Sequence, residues 1–580
     1  MSDFKKYYQQ ELHNIRSLAR EFSELHPAIA SMLSGQSTDP DVERLLEGTA
    51  FLTGLLKQKL EDSLPEIIHL LTELVFPHFL RSIPSLTLIQ FTPKSGLQET
   101  IRIPDSTALR SAKVQGTSCL FRTCFSCDVN PLRMINVEKD DVSSRNQSII
   151  LHLELTGGSL ATWRPDSLSF FLGGSYTGAS NLFMVLRRHL RRIVVRSGDG
   201  KYSCTLDSAM LKPGSLKREN SLLPYPGRSF DGYRLLQEYF ILPSKFLYLE
   251  LFGLEQWRQR GDSRRFSITF ELDRLPESIA TTISNDSFLL ATIPAINLFP
   301  HEAEPILLDH QLDKIRVTPS MVDGRRPEVY SVDKVTGFSR GAVRKKDYTP
   351  QIGFGDQKSG GDSYTLLHSI SAVHNRPEVA LRFAYPSGAE SLIEETLTVG
   401  LTCSDGDLSA ELKPGDINQP TADTPELIDF NNLMQPTRPI DPPIAGDTLW
   451  SFLSHFSLNL FSLSDVNSLR ELLRLYIFSH GRDRARVEAN EKRINGIESY
   501  EVQSVNRLMR GVMMRGQHLH LSIRADHFAG TGDFYLFGLV LDEFFSEYAG
   551  MNSFTQLKIT NSNSGEDFVW PVRIGSTRLL

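Results

Sequence analysis

Cys119, Cys124 and Cys127 stand at the C-x4-C-x2-C spacing with which plant-type ferredoxins hold an iron–sulfur cluster, with Cys204 a conceivable fourth ligand. A strand reading of the same stretch works against this. Alternation from Ser118 to Cys127 puts Cys119, Phe121, Phe125 and Cys127 on one face and Cys124 on the other. At ~3.3 Å per residue the outer two cysteines would stand roughly 26 Å apart, too far for one cluster. Buried core thiols are therefore expected, and Cys403, on the apolar face of its own strand, is expected to be another. His518 and His520 flank Leu519 as two strand-borne metal ligands could, with His527 nearby, but no carboxylate or cysteine accompanies them at ligand spacing. Leu519, Leu521 and Ile523 claim the apolar face, so both histidines are expected on a solvated one with Ser522 and Arg524.

Other stretches come close to a chemistry and miss it. Gly173-Gly174-Ser175-Tyr176-Thr177 approaches a nucleophile elbow, yet Thr177 stands where the last glycine belongs, and a plain strand-to-helix turn fits better. Gly198-Asp199-Gly200-Lys201 lacks both the first glycine of a phosphate-binding loop and the Ser or Thr after the lysine, which leaves a hairpin turn. Arg187, Arg188, Arg191, Arg192 and Arg196 around His189 form the densest basic patch. Without interleaved aromatics, in a chain of net charge −7, the patch reads as ion-paired or partner-facing, and no nucleic-acid partner is expected. The charged run from His480 to Arg493 reads as solvated or partner-facing. No catalytic, cofactor-binding or metal-binding residue is assigned, and no enzyme activity is expected.

The elements that would have to position such groups change character along the chain. Its 580 residues suffice for roughly three to four domains, and 40% hydrophobic with 23% charged residues is an ordinary globular composition. The spacing predicts an α+β multidomain fold. Residues 1–80 read as helical: Phe4, Tyr8, Leu12, Ile15, Ala19 and Phe22 recur at helical intervals. A second helix starts at Asp39-Pro40 and carries Val42, Leu45, Leu46, Thr49, Leu52, Leu56 and Leu60 as one stripe; Ser63-Leu64-Pro65-Glu66 caps a third. Residues 81–275 and 276–413 read as two β-rich, sandwich-like or mixed domains. Ile149/Leu151/Leu153/Leu155, Phe266/Ile268/Phe270/Leu272, Val379/Leu381/Phe383/Tyr385 and Leu397/Val399/Leu401/Cys403 alternate as half-buried strands do. Six glycines between 337 and 363 suggest a surface loop, and seven prolines between 414 and 443 an extended connector. Residues 444–580 read as mixed α/β, with helices near 466–478 and 533–549 and strands near 518–524 and 554–560.

Two short helices beside one other cannot bury apolar residues on more than one face. Leu45, Leu46, Leu52 and Leu56, with Phe51 and Leu55 extending the stripe sideways, are therefore expected to face another chain. No apolar run approaches the ~20 residues of a spanning helix, so no membrane insertion is expected. Tyr7 to Glu11 follow Lys5 and Lys6 where an export signal would turn apolar. Five cysteines are too sparse and odd a set for a disulfide framework. These features favour the cytoplasm.

The run Pro226 to Phe240, continuing through Pro243 into Phe246-Leu247-Tyr248-Leu249-Glu250-Leu251, is the most distinctive segment. Asp41 to Phe51 stands before it, and Asn297-Leu298-Phe299-Pro300, Glu328-Val329-Tyr330-Ser331-Val332, Leu449-Trp450, Phe537 to Phe545 and Trp570-Pro571-Val572-Arg573-Ile574-Gly575 follow it in order. Together these resemble the TssF (ImpG/VasA) family of type VI secretion baseplate proteins along nearly the whole chain, least around 337–370. The resemblance implies a structural wedge subunit that associates with TssG, two copies to one, self-associates within the wedge, and links the VgrG hub to TssK, TssE and the sheath. It also implies recruitment to an apparatus docked at the inner membrane. A contractile phage tail baseplate protein and a β-rich carbohydrate-active enzyme are the rival readings; the latter needs two carboxylates ~5–10 Å apart across a cleft.

Overall fold

The computed structural model describes residues 76–575 except 144–145, 226–230, 340–344, 352–362, 372–375, 385–393, 445–464, 479–482, 510 and 551–552; before 76 it describes 9, 12, 15, 44, 45, 47–53 and 67–73. Those early positions are helical, as expected. The remaining early helical positions, and Pro226 to Phe230 and Leu449-Trp450, lie outside the described residues.

Leu86–Pro93 is apolar on both faces, with Leu86, Leu88, Ile89 and Phe91 all buried, and so it takes an interior place in its sheet. The order of that six-stranded sheet is Ile417–Gln419, Ala108–Val114, Thr117–Thr123, Thr292–Ile296, Leu86–Pro93, Ile428–Asn432. Ile89 lies opposite Ile293 on one side and Asn432 on the other. The proline-rich stretch is extended as expected, but it also completes this sheet, with Ile417, Ile428 and Phe430 buried between its prolines. Strand Thr117–Thr123 stops before Cys124, and Cys127–Val129 pairs instead with Ile101–Ile103, so the single strand expected through the three cysteines is broken at 124–126.

The expected alternation is clearest in the five-stranded sheet. Phe266, Ile268, Phe270 and Leu272 are buried along Arg265–Leu272, with Ile268 between Leu151 and Val195. Strands between Phe299 and Ser404 form an eight-stranded sheet around their own core, which includes Val335, Tyr348, Leu381, Leu397, Val399 and Cys403. Lys345–Pro350 is one of its strands, so the glycine-rich stretch is not simply a loop.

The last sheet is built on a long hairpin, Ile497–Met509 with Val512–Ile523. Helix Thr531–Ser546 then crosses to Ser553–Asn561, which runs parallel to the hairpin's second strand, a connection that parallel pairing requires. The expected strand near 518–524 is thus the inner end of a much longer one. The run from His480 to Arg493 lies largely in helix Arg484–Asn495, with Arg493 buried.

Candidate assembly site

The groups that could have done chemistry are spent on structure. All five cysteines are free thiols. Burial pushes Cys119 far up, and pushes Cys127 and Cys403 up to about 12, with nearby carboxylates adding to the effect. His520 Nε2 lies 2.9 Å from Thr560 Oγ1, and His527 Nδ1 lies 2.7 Å from the Lys492 carbonyl. His518 sits edge-on to Phe554. Both strand histidines are half-buried, not solvated, because strand Ser553–Asn561 pairs alongside them. Ser175 caps helix Tyr176–Arg188, accepting from the Gly178 amide at 3.2 Å, which is a helix-start role. In the basic patch Arg192 pairs with Glu271, while Arg188 pairs with Glu566 and lies 4.3 Å over the Phe568 ring. Arg191 and Arg196 are exposed.

A groove of about 740 Å³ is lined by Gln90, Thr92, Arg133, Glu154, Arg264 and Asp286, among others. Glu154 accepts from Arg265 at 2.9 Å and from Arg133 at 2.8 Å, and these bonds hold its carboxyl below the usual range. A glycosidase acid needs the opposite shift.

Two of the distinctive segments, the one through Asp231–Ile241 and the one from Phe537 to Phe545, meet at one buried junction. Helix Thr531–Ser546 is apolar around most of its circumference and is accordingly buried on nearly all sides. It packs against helices Tyr176–Arg188 and Asp231–Ile241. Gly532 allows the first contact: a Cβ there would stand 2.2 Å from the backbone of Ser180 and Asn181. Its amide donates to Asn181 Oδ1 at 2.8 Å.

One turn into this apolar helix stands Asp533, fully buried. It accepts from Arg493 Nη2 at 2.8 Å and Nε at 3.0 Å, from Tyr176 at 2.6 Å, from Tyr239 at 3.2 Å, and from the Ala529 amide at 3.1 Å. Arg493 also donates to Asn490 Oδ1 at 2.7 Å. Burial drives both tyrosines well above their ordinary pKa. A buried carboxylate so completely paired fixes how four helices meet.

Two more ion clusters bracket it. On helix Asp231–Ile241, Glu238 pairs with Arg234 at 3.0 Å and with Lys245, all within 2% exposure. Burial lowers Lys245 to about 8. At the far end of the central helix Arg573 joins Asp542 and Glu543, and burial, opposed by Arg573, raises Asp542 to about 6. Farther away, buried Asn297 ties the six-stranded sheet to the eight-stranded one: it donates to Leu120 O at 2.8 Å and Asp405 Oδ2 at 2.7 Å. Asp533 and Asn181 were not singled out by the sequence reading, while Tyr176 stood only within an expected turn and Arg493 within a run expected to be solvated or partner-facing. The available signal was an aspartate in the first turn of a helix that then runs apolar from Phe534 to Leu541.

On the surface, Leu45 is 72% exposed, Leu52 63% and Phe51 47%, while Ala50 is buried. Leu46, Leu55 and Leu56 lie outside the described residues. No helix among the described residues is long and apolar enough to cross a membrane.

Four matches to known proteins bear on this architecture. The family model "Type VI secretion system, TssF" matches residues 1–577. Type VI secretion system component TssF1 of Pseudomonas aeruginosa is 28% identical, with 98% of each chain covered. A chain of the TssK-TssF-TssG baseplate subcomplex of the type VI secretion system superposes with a TM-score of 0.75 at 26% identity, over 92% of this chain and 99% of that one. A chain of the type VI secretion baseplate complex shares the fold, with a TM-score of 0.61 at 22% identity and both chains fully covered. With the family model matched over residues 1–577 of 580, the chain belongs to the type VI secretion system TssF family.

Proposed function

We propose that the chain is a non-enzymatic wedge subunit of the type VI secretion baseplate. It binds TssG and TssK, with two copies per TssG that contact one another, and links the VgrG hub to TssE and the sheath. The observation that carries this is the match over 92% of the chain to a component of a TssK-TssF-TssG subcomplex. Cytoplasmic residence, with recruitment to the inner-membrane apparatus, follows from the same reading.

The TssG-facing surface proposed is the stripe of Leu45, Leu46, Phe51, Leu52, Leu55 and Leu56. Leu45 and Leu52, two helical turns apart, support it by their exposure. Burying each leucine at an interface contributes about 1.5–3 kcal/mol. The divisions at 80, 275, 413 and 443 are proposed as sequence segments, not separately folding units, because the six-stranded sheet draws on residues 86 to 432. The test is co-expression with TssG of the same organism. Wild type should co-purify, and Leu45→Asp with Leu52→Asp should not, while remaining folded by circular dichroism. Retention of TssG by that variant would move the interface elsewhere.

A further inference from the structure

The ribbon of Ile497–Met509 and Val512–Ile523 outruns the sheet it belongs to. Its neighbour Ser553–Asn561 pairs only as far as Arg515. Among the described residues two strands alone continue to the turn at Gly511, whose φ of +81° suits glycine. The register sets Tyr500 opposite Leu521, Val502 opposite Leu519, Ser504 opposite Gln517, Asn506 opposite Arg515 and Leu508 opposite Met513. All these pairs lie on one side of the ribbon. That side is buried at Tyr500, Leu519 and Leu521, then polar for two pairs. It turns apolar again at the tip, where Leu508 is 67% exposed and Met513 68%. Four polar residues separate this pair from the core, so it is a second apolar site and not an overflow of the first.

Charge on the ribbon is one-sided as well. From Val502 to Ala525 there are Arg507, Arg510, Arg515 and Arg524 and no aspartate or glutamate, in a chain of net charge −7. Arg507 and Arg515 are exposed, one on each face. No Phe, Tyr or Trp occurs between Glu501 and His527 to stack on bases, which disfavours nucleic acid. Two such tips meeting would bring arginine against arginine, which disfavours a symmetric contact between copies. A bare two-stranded ribbon is marginally stable in water, and burial of its end would stabilise it.

We propose that the Leu508–Met513 tip is a plug that inserts into an apolar socket rimmed by carboxylates on a different protein of the baseplate. This rests on the wedge-subunit reading. Leucine and the adaptable methionine fill the socket, and Arg507 and Arg515 pair with its rim. The test places a photo-crosslinking amino acid at Leu508 of the full chain, co-expressed with TssG and TssK of its own organism. A crosslink to TssG or TssK at an acidic, apolar peptide is expected. Placing the crosslinker at Met513 instead, Leu508→Asp or Arg507→Glu with Arg515→Glu should cut that yield by about tenfold or more, and Leu508→Met with the crosslinker at Met513 should preserve it. Crosslinking only to a second copy, nuclease-sensitive crosslinking, binding of the lone chain to phosphatidylglycerol vesicles through the tip, or an intact complex without any crosslink would each overturn the proposal. If wild type fails to co-purify with TssG, the wedge reading falls and the plug with it. If the complex forms and the tip variants crosslink as wild type does, the plug alone falls.

Discussion

Asp533→Asn is the sharpest perturbation of the buried junction. The substitution keeps the side chain's shape but removes its charge and turns one of its two acceptor ends into a donor, facing Arg493, Tyr176, Tyr239 and the Ala529 amide. Arg493, only 10% exposed at its side chain, loses its counter-charge. Breaking a buried pair from one side costs about 3–5 kcal/mol. Against a typical domain stability of ~5–15 kcal/mol that is at least about a fifth of the total. The loss should be local to the four helices that Asp533 joins, so hydrogen exchange read peptide by peptide is the right assay. At 3 kcal/mol, amides of Thr531–Ser546 that exchange through opening of this unit should exchange roughly 150-fold faster, and those of the eight-stranded sheet should not change. Removing both partners, Asp533→Leu with Arg493→Met, should cost less than either single change. An effect below about 1 kcal/mol for Asp533→Asn, or a double variant as damaged as the sum of the two singles, would refute the reasoning.

Gly532→Ala places a methyl 2.2 Å from the backbone of helix Tyr176–Arg188 and should lower Tm, at a cost of about 1–3 kcal/mol or more, whereas Gly48→Ala, with nothing within 4 Å, should be neutral or slightly stabilising. Asp542, raised from 3.8 to about 6, binds its proton more tightly when folded than when unfolded. Its contribution to stability is therefore greatest below about pH 4 and is lost as pH rises to about 6, with a slope of at most about 1.4 kcal/mol per pH unit. Asp542→Asn should flatten that part of the pH profile, and an unchanged profile by urea unfolding would contradict the assignment. With thiol alkylation followed by mass spectrometry, half-buried Cys204 should label before Cys119, Cys127 and Cys403, which should react only on unfolding.

Much of the fold was legible wherever burial is one-sided. The alternating runs at 149–155 and 266–272 are strands because one face meets the core and the other does not, and period two records that difference. Pairing partners leave no such trace. Leu86–Pro93 lies between strands some 200 and 340 residues away, so nothing local announces the six-stranded sheet. Proline density hid Ile417, Ile428 and Phe430, which alternate with polar neighbours inside the supposed connector. Arg493 looked solvated because its run is charged; its burial depends on Asp533, 40 residues later. The order of the distinctive segments identified the family, but only the folded chain brings Asp231–Ile241 and Thr531–Ser546 into contact.

The central claim, that this chain is a wedge subunit and not a free-standing protein, is tested most directly by native mass measurement of the full chain purified with TssG and TssK of its own organism. A discrete complex containing two copies of this chain for each TssG, with TssK attached, is the predicted result. A chain that elutes alone as a stable monomer in the presence of both partners would contradict it.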